Sequence, residues 1–511
     1  MSSAPTGRPQ PTTAARTPPG AGRPEQEYSP DPRRWQALAI CLVAGFMSLL
    51  DVSIVNVALP SIQQGLGAGE NALSWVVSGY ALALGLLLVP AGRLGDARGR
   101  RPSFEVGLGL FTLASIACGF APTATLLIVA RLVQGVAGGV LTPQISGLIQ
   151  SLFRGHERAK AFGLFGATVG ISTAIGPLLG GGIISLFGAH SGWRYVFFVN
   201  VPIGLVALPL ARKLIPHHPR MNPDAQDLDP IGVLLLGAAV TCLILPLIEQ
   251  QNWHSPDRLL LYPAALVLLT TFLYWERHYR RHGHEPVVDF SLFVRRSYTL
   301  GTGVGLLYFA GFTGVFFIYT QFLQDGLGYS ALHAGLALTP FALGSGAAAV
   351  LGGRIVTRYG RPLVAGGLLL VIIGLAATYL VTGAVHGSAV GPAAAGPLLV
   401  AGLGSGLVIT PNVTITLTEV PVHRAGIAGG VLQTGQRIGS AAGIAATGSV
   451  FYGALAGHGQ PDWALAFRHG LLVITLFVAL ALALALIDVL IGPGPSRRRE
   501  TARADAGATA R

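Results

Sequence analysis

The chain has 511 residues, of which 51% are hydrophobic and only 11% charged, with a formal net charge of +12. A water-soluble domain carries about 25% charged residues, so the composition excludes a soluble globular protein. The positive balance does not signal a nucleic-acid partner, because the arginines lie in the gaps between apolar runs and not on one polar domain.

Residues 1–35 are rich in Pro, Thr, Arg and Gly and read as a disordered cytoplasmic tail. They lack the apolar core and cleavage site of a signal peptide. Fourteen stretches then approach the ~20 apolar residues that cross a bilayer. They are 37–58, 73–92, 104–121, 124–148, 161–184, 193–212, 230–249, 258–275, 299–323, 332–356, 362–382, 394–417, 424–452 and 467–491. Residues 493–511 read as a second disordered tail. Cys41, Cys118 and Cys242 all fall inside apolar runs, as small buried hydrophobes do.

The basic residues orient these spans. With the N-terminus placed in the cytoplasm, the inner segments and tails hold 29 of the 34 Lys and Arg. The outer segments hold only Arg194, Arg258 and Arg468, while Arg131 and Arg437 lie within spans. Dropping one span would invert every later loop and destroy this asymmetry. Both termini are therefore expected in the cytoplasm.

An internal repeat divides the chain. Gly92-Arg93-Leu94-Gly95-Asp96-Ala97-Arg98-Gly99-Arg100-Arg101-Pro102 follows the second span, and Gly353-Arg354-Ile355-Val356-Thr357-Arg358-Tyr359-Gly360-Arg361-Pro362 follows the tenth. Repeated halves are common in secondary transporters, with the substrate site between them. Six-helix halves would put the copies six spans apart, so two extra spans must intervene. The expected architecture is an all-α polytopic membrane protein of fourteen helices. A bundle over 36–215 and another over 298–492 flank two additional helices within 216–297.

At these residues the chain resembles the major facilitator superfamily, and more narrowly its 14-helix drug:proton antiporter branch. The first span ends in Asp51 followed by Asn56-Val57-Ala58-Leu59-Pro60. Gly92 to Arg101 matches the superfamily loop signature, and Arg131 with Gln134, Gly135, Gly138 and Gly139 matches its fourth-helix motif. Gly176-Pro177-Leu178-Leu179-Gly180-Gly181 matches the fifth-helix antiporter motif, with Ser172 where the family usually has Gly. Trp193-Arg194-Tyr195, Asn200 to Gly204, and Arg424 to Gly429 leading to Arg437-Ile438-Gly439 are typical of the branch. The resemblance covers nearly everything from Arg34 to Gly492. It implies a proton-coupled exporter of drugs or amphipathic small molecules that works by alternating access.

Asp51 is the expected proton carrier, because a carboxylate within a span tends to mark an ion or proton path. The competing role is a hydrogen bond to a neighbouring helix. At about 1.5 Å per residue, Asp51 and Arg131 both lie on the order of 10–12 Å below the outer surface. Arg131 is therefore its candidate partner, or else a packing residue bound to backbone carbonyls. By resemblance, Asp96 with Gly92, Arg93, Arg98, Gly99 and Arg100 holds the two halves together at the cytoplasmic face. Gly176, Pro177, Gly180 and Gly181 form a smooth, bent helix surface. Asn56, Gln134, Gln321, Gln433 and Arg437 are candidate cavity residues, with Gln433 one turn from Arg437 on the same face. Asp488 and Glu419 are expected to be solvated charges at helix ends.

Other classes lack their signatures. There is no D-D-x-x-D cluster for a diphosphate-using membrane transferase and no HExxH. Lys160 and Lys213, the only lysines, follow no phosphate-binding loop. No enzyme activity, metal or cofactor is expected, and the proton gradient supplies the energy. The expected partners are the lipid bilayer of the inner or plasma membrane, protons and a small-molecule substrate, in a monomer. An exporter dedicated to an endogenous metabolite, or a transporter-derived sensor, is the alternative.

Overall fold

A computed structural model of the chain describes residues 30–188, 190–216, 229–248, 255–282, 284, 286–288, 290–455 and 462–491. Both tails, apart from the last residues before the first helix, lie outside the described residues. Among the described residues, fourteen helices are long and apolar enough to cross a membrane. They are α1 (Arg34–Leu66), α2 (Glu70–Arg98), α3 (Arg100–Phe120), α4 (Ala124–Leu152), α5 (Gly155–Phe187), α6 (Gly192–Leu214), α7 (Pro230–Ile248), α8 (Leu261–Arg281), α9 (Arg296–Gln321), α10 (Ala331–Tyr359), α11 (Arg361–Ala384), α12 (Val390–Thr418), α13 (Ala425–Leu455) and α14 (Trp463–Leu490). α6 is broken at Val199 into Gly192–Phe198 and Asn200–Leu214. Several helices overrun their apolar stretches. α1 has 33 residues, or about 50 Å at ~1.5 Å per residue, enough to pass through both headgroup layers as well as the hydrocarbon.

The helices form two bundles. In the first, α2 and α3 pack on α4, and α1 packs on α5 and α6; in the second, α10 and α11 pack on α12, and α9 packs on α13 and α14. Leu113, Leu205, Leu343 and Leu380 stay exposed on the outside, as a surface bathed in lipid requires. The bundles meet along two seams. One joins α5 to α10 and α12, and the other joins α2 and α4 to α13. The extra helix α7 lies against α2 and α13. There Val240 and Ile244 cluster with Leu82 and Ile438, so α7 covers the second seam from its lipid side. α8 packs on α7, and the Trp275 indole N–H donates to Asp229 Oδ1 at the start of α7 (2.8 Å).

One expectation is corrected. Asp488 does lie at a helix end, in the last turn of α14, but it is a buried acceptor and not a solvated charge. Arg361 Nε lies 2.5 Å from one of its oxygens, and Arg296 Nη2 lies 2.8 Å from the other. Arg361 also donates to Asn412 Oδ1 (2.7 Å) and to the Ser297 carbonyl (2.6 Å). The carboxylate thus ties α9, α11 and α14 together, because two arginines at the same depth need a counter-charge where water is scarce. Removing one partner of a buried ion pair costs about 3–5 kcal/mol. Asp488→Ala is therefore expected to lower the melting temperature in detergent well below that of wild type, while exposed Asp325→Ala leaves it unchanged. Equal melting of the two variants would contradict this role.

Candidate functional site

Two helices, α4 and α6, bring donors to Asp51 of α1. It lies midway along α1 on the side facing α4 and α6. Arg131 Nη1 donates to Asp51 Oδ2 at 2.5 Å. Gln134 Nε2 and Asn200 Nδ2 both donate to Asp51 Oδ1, at 2.9 and 3.0 Å. Gln134 stands one turn after Arg131 on α4 and accepts from it through Oε1 (2.7 Å). Ser115 of α3 receives Gln134 Nε2 at 2.8 Å. Arg131 Nε donates to the Val76 carbonyl of α2 (2.9 Å), and its guanidinium lies 4.2 Å from the Tyr80 ring centre. The Asp51 and Arg131 side chains are 0% and 1% exposed. Five helices of the first bundle therefore share one charge network with no contact to solvent. The two sequence-derived roles of Arg131, carboxylate partner and backbone donor, are both occupied at once.

Gln134, expected in the cavity, belongs instead to this buried network. A glutamine here donates to the carboxylate and accepts from the guanidinium together, which an open cavity wall would not require. Ser115, Asn200 and Tyr80 had no assigned role from the sequence. Small polar residues in apolar runs show no periodic signal, and Asn200 is 149 positions from Asp51.

The second cluster joins the halves at the arginine-rich face. Asp96 near the end of α2 accepts from the Gly426 and Ile427 backbone N–H groups at the start of α13 (3.1 and 3.0 Å). A carboxylate there meets unsatisfied donors and the positive end of the helix dipole. Arg100 pairs with Asp96 (2.9 Å) and donates to the carbonyls of Gly147 in α4 and Val422 before α13. Gly92 is required by contact, because a Cβ there would collide with the Gly426 carbonyl. Gly99 turns the chain between α2 and α3 at φ +108°, and Arg93 is buried. Arg98 departs from expectation. It is exposed and makes no hydrogen bond or ion pair among the described residues, because it points away from α13 at the end of its helix. In the second loop copy Thr357 is exposed, and the equivalent arginine, Arg361, turns inward to Asp488 of its own bundle. The first copy reaches the other half through a charged contact, whereas the second reaches it by packing alone, Gly353 against Gly163 of α5.

The α5 motif divides its work between two neighbours. Gly176 and Gly180 lie against Ser53 and Ile54 of α1, whereas Pro177 meets Gly335 of α10 across the first seam. Ser172 fits in place of the usual glycine because its hydroxyl turns back to the Thr168 carbonyl (2.6 Å). Gly181 is a correction: an added Cβ would meet nothing within 4 Å. It follows Gly180 by ~100° of helical rotation and so leaves the packed face.

The space between the halves is lined by what these contacts leave over. On α1, Ser53 and Ile54 face α5, Ser48 faces Tyr80 of α2, and Asp51 faces α4. The remaining arc carries Leu49, Val52, Asn56 and Pro60, half-buried at its middle and exposed at its outer end. α9 reaches α12 through Gly301, α13 through Leu306 and Ala310, and α14 through Gly311 and Gly314. The rest of its surface carries Phe309, Phe316 and Thr320, all half-buried, with Phe316 edge-on against Phe341 of α10. Gln321 instead ties α9 to α13 through the Tyr452 hydroxyl (2.7 Å). On α13, Gln433 and Arg437 lie on the side that Gly426 and Gly430 press against α2. Both are half-buried, and no hydrogen bond joins them.

Residues 41–444 match the family model described as Major Facilitator Superfamily. The chain belongs to the major facilitator superfamily. The multidrug resistance protein Stp of Mycobacterium tuberculosis is 35% identical over 79% of this chain and 73% of its own length. The puromycin resistance protein pur8 of Streptomyces alboniger is 34% identical over 88% of this chain and 91% of its own length. The tetracenomycin C resistance and export protein of Streptomyces glaucescens is 33% identical over 85% of this chain and 79% of its own length. Among solved structures, the human organic anion transporter MFSD10 superposes with a TM-score of 0.65 at 15% identity, covering 89% of this chain and all of that one. The proton:xylose symporter XylE gives 0.64 at 16% identity, covering 90% of this chain and 96% of that one. At such identities the superpositions establish the fold alone.

In this superfamily member the Asp96 cluster bridges the arginine-rich ends of the two bundles. With spin labels at the exposed Arg98 and Arg358 positions, Asp96→Asn is expected to lengthen the inter-label distance distribution relative to the otherwise identical protein. An unchanged distribution would contradict a holding role for the cluster.

Proposed function

We propose that this multi-pass transporter resides in the plasma membrane and exports amphipathic small molecules, antibiotics among them, in exchange for protons. The observation that carries the reading is the buried Asp51–Arg131 network, placed one side chain away from the arc of α1 that faces the central space. The names of its relatives, which include drug and antibiotic resistance proteins, support export over import.

The chemistry follows from the partners. An ionised Asp51 is held by three donors, so a proton arriving there must displace strong charge-assisted bonds. Once Asp51 is neutral, Arg131 still keeps the Val76 carbonyl, Gln134 Oε1 and the Tyr80 ring. The network therefore has two tolerable protonation states that differ in how tightly α1 is bound to α4 and α6. A proton shifts a conformational equilibrium only by binding the two shapes unequally, and this difference in grip supplies the inequality. With the arginine-rich ends locked, Asn56 and Pro60 are exposed at the outer end of α1. This is the shape in which substrate leaves and a proton enters. Loss of the proton on the other side restores the Asp51–Arg131 bond and prepares the next export cycle. An exporter dedicated to a metabolite of the producing cell uses the same machinery and differs only in substrate.

Efflux of fluorescent compounds and antibiotics from energised cells, with and without a protonophore, tests the reading. Wild type is expected to lower cell-associated compound, and the protonophore to abolish the difference. Asp51→Asn at equal expression is expected to lose at least about tenfold in efflux rate, the effect of ~1.4 kcal/mol. Wild-type efflux by Asp51→Asn would place proton coupling elsewhere.

A further inference from the structure

Among the described residues, Arg437 is an inward-facing cation whose role the proton network and the Asp96 cluster leave unexplained. It lies 12 residues into the 31-residue α13, roughly 18 Å along the helix and so near the middle of the span. Arg100, Arg131 and Arg361 each hold a carboxylate. Arg437 makes no hydrogen bond or ion pair with any described residue. The described ionisable group that acts on it is Tyr80 of α2, a neutral phenol whose ring already carries Arg131. A guanidinium at this depth without a counter-ion is expensive and is kept where it borders a wet cavity or serves a function. It is half-buried on the α13 side that faces the first bundle. The neighbouring helix α9, which meets Gly435 and Gly439 through Thr302 and Leu306, carries half-buried Phe309 between one and two turns beyond the Arg437 level, an apolar face near a fixed positive charge. Arginine's planar fork matches a carboxylate with two parallel hydrogen bonds.

We infer that Arg437 is the substrate-recognising cation of the central cavity, and that the preferred cargo is an aromatic molecule bearing a carboxylate or an ionised phenol. The inference rests on the exporter reading and narrows its substrate class. With Asp51 sealed behind Arg131, the cavity offers an acid its counter-charge and offers a lipophilic cation none. Tyr80, between the two arginines, places the bound anion next to the wall of the proton network.

The test compares anthraquinone-2-carboxylate with anthraquinone-2-carboxamide, which share ring and size and differ in charge. Binding to purified full-length protein in lipid nanodiscs is read by tryptophan quenching, and melting curves confirm that each variant is folded. Wild type is expected to bind the carboxylate about tenfold or more tightly than the amide, as a charge-assisted pair allows. Arg437→Gln is expected to erase that preference while keeping amide affinity, and Arg437→Lys to retain part of it. Equal binding of the two ligands by wild type, binding of neither, or a preference that survives Arg437→Gln would overturn the inference. Protonophore-sensitive efflux of neutral or cationic dyes alongside equal binding would leave the exporter reading standing and remove this one alone.

Discussion

A carboxylate and a guanidinium buried together at membrane depth are the constraint around which the first bundle is built. Either charge alone would be intolerable in hydrocarbon. Together they remain costly unless every other lone pair and N–H is satisfied. Ser115, Gln134, Asn200, the Val76 carbonyl and the Tyr80 ring meet that demand from α3, α4, α6 and α2. The packing of these helices is thus tied to the charge state of Asp51. A structure that must re-satisfy Arg131 whenever Asp51 takes a proton has a physical reason to change shape.

In the proposed cycle, an asymmetry between the halves gates that change. The first loop copy extends Asp96 to the start of α13 and closes the arginine-rich end. The second copy has Thr357 in the matching place, and its arginine is spent inside its own bundle on Asp488. The α2–α13 seam therefore carries a charged latch. The α5–α10 seam relies on close backbone approach, as where Gly163 meets Gly353 and Pro177 meets Gly335. A latch of one carboxylate on two backbone N–H groups can open as a unit, while a smooth seam can rock without breaking bonds. The two extra helices sit over the latched seam, where opening would otherwise expose it to lipid.

Much of this was legible in the sequence, for reasons that can be named. Fourteen spans were readable because each needs its own apolar run and because arginines mark alternate gaps. The Asp51–Arg131 pair was readable from depth, since both residues lie a similar number of turns below the same surface. Depth says nothing of direction, however. Gln134 was placed in the cavity although its side chain turns to Asp51, and Gly181 was grouped with Gly176 and Gly180 although it leaves their face. Asp488 reads as solvated in the sequence because its partners, Arg296 and Arg361, are brought to it by α9 and α11 from far along the chain. No sequence pattern announces that Asn200 donates to Asp51 or that Ser115 accepts from Gln134 and Asn200; only the folded bundle shows it.

The measurement closest to the central claim is proton release on substrate binding by purified protein in weakly buffered detergent solution, with a pH dye as readout. A compound shown to be exported in cells is added to wild type and to Asp51→Asn. The account predicts that wild type releases about one proton per molecule bound, as the linkage between binding and ionisation of Asp51 requires. The variant is predicted to bind without release. Equal proton release from both would contradict exchange at Asp51 and with it the proposed coupling of the charge network to export.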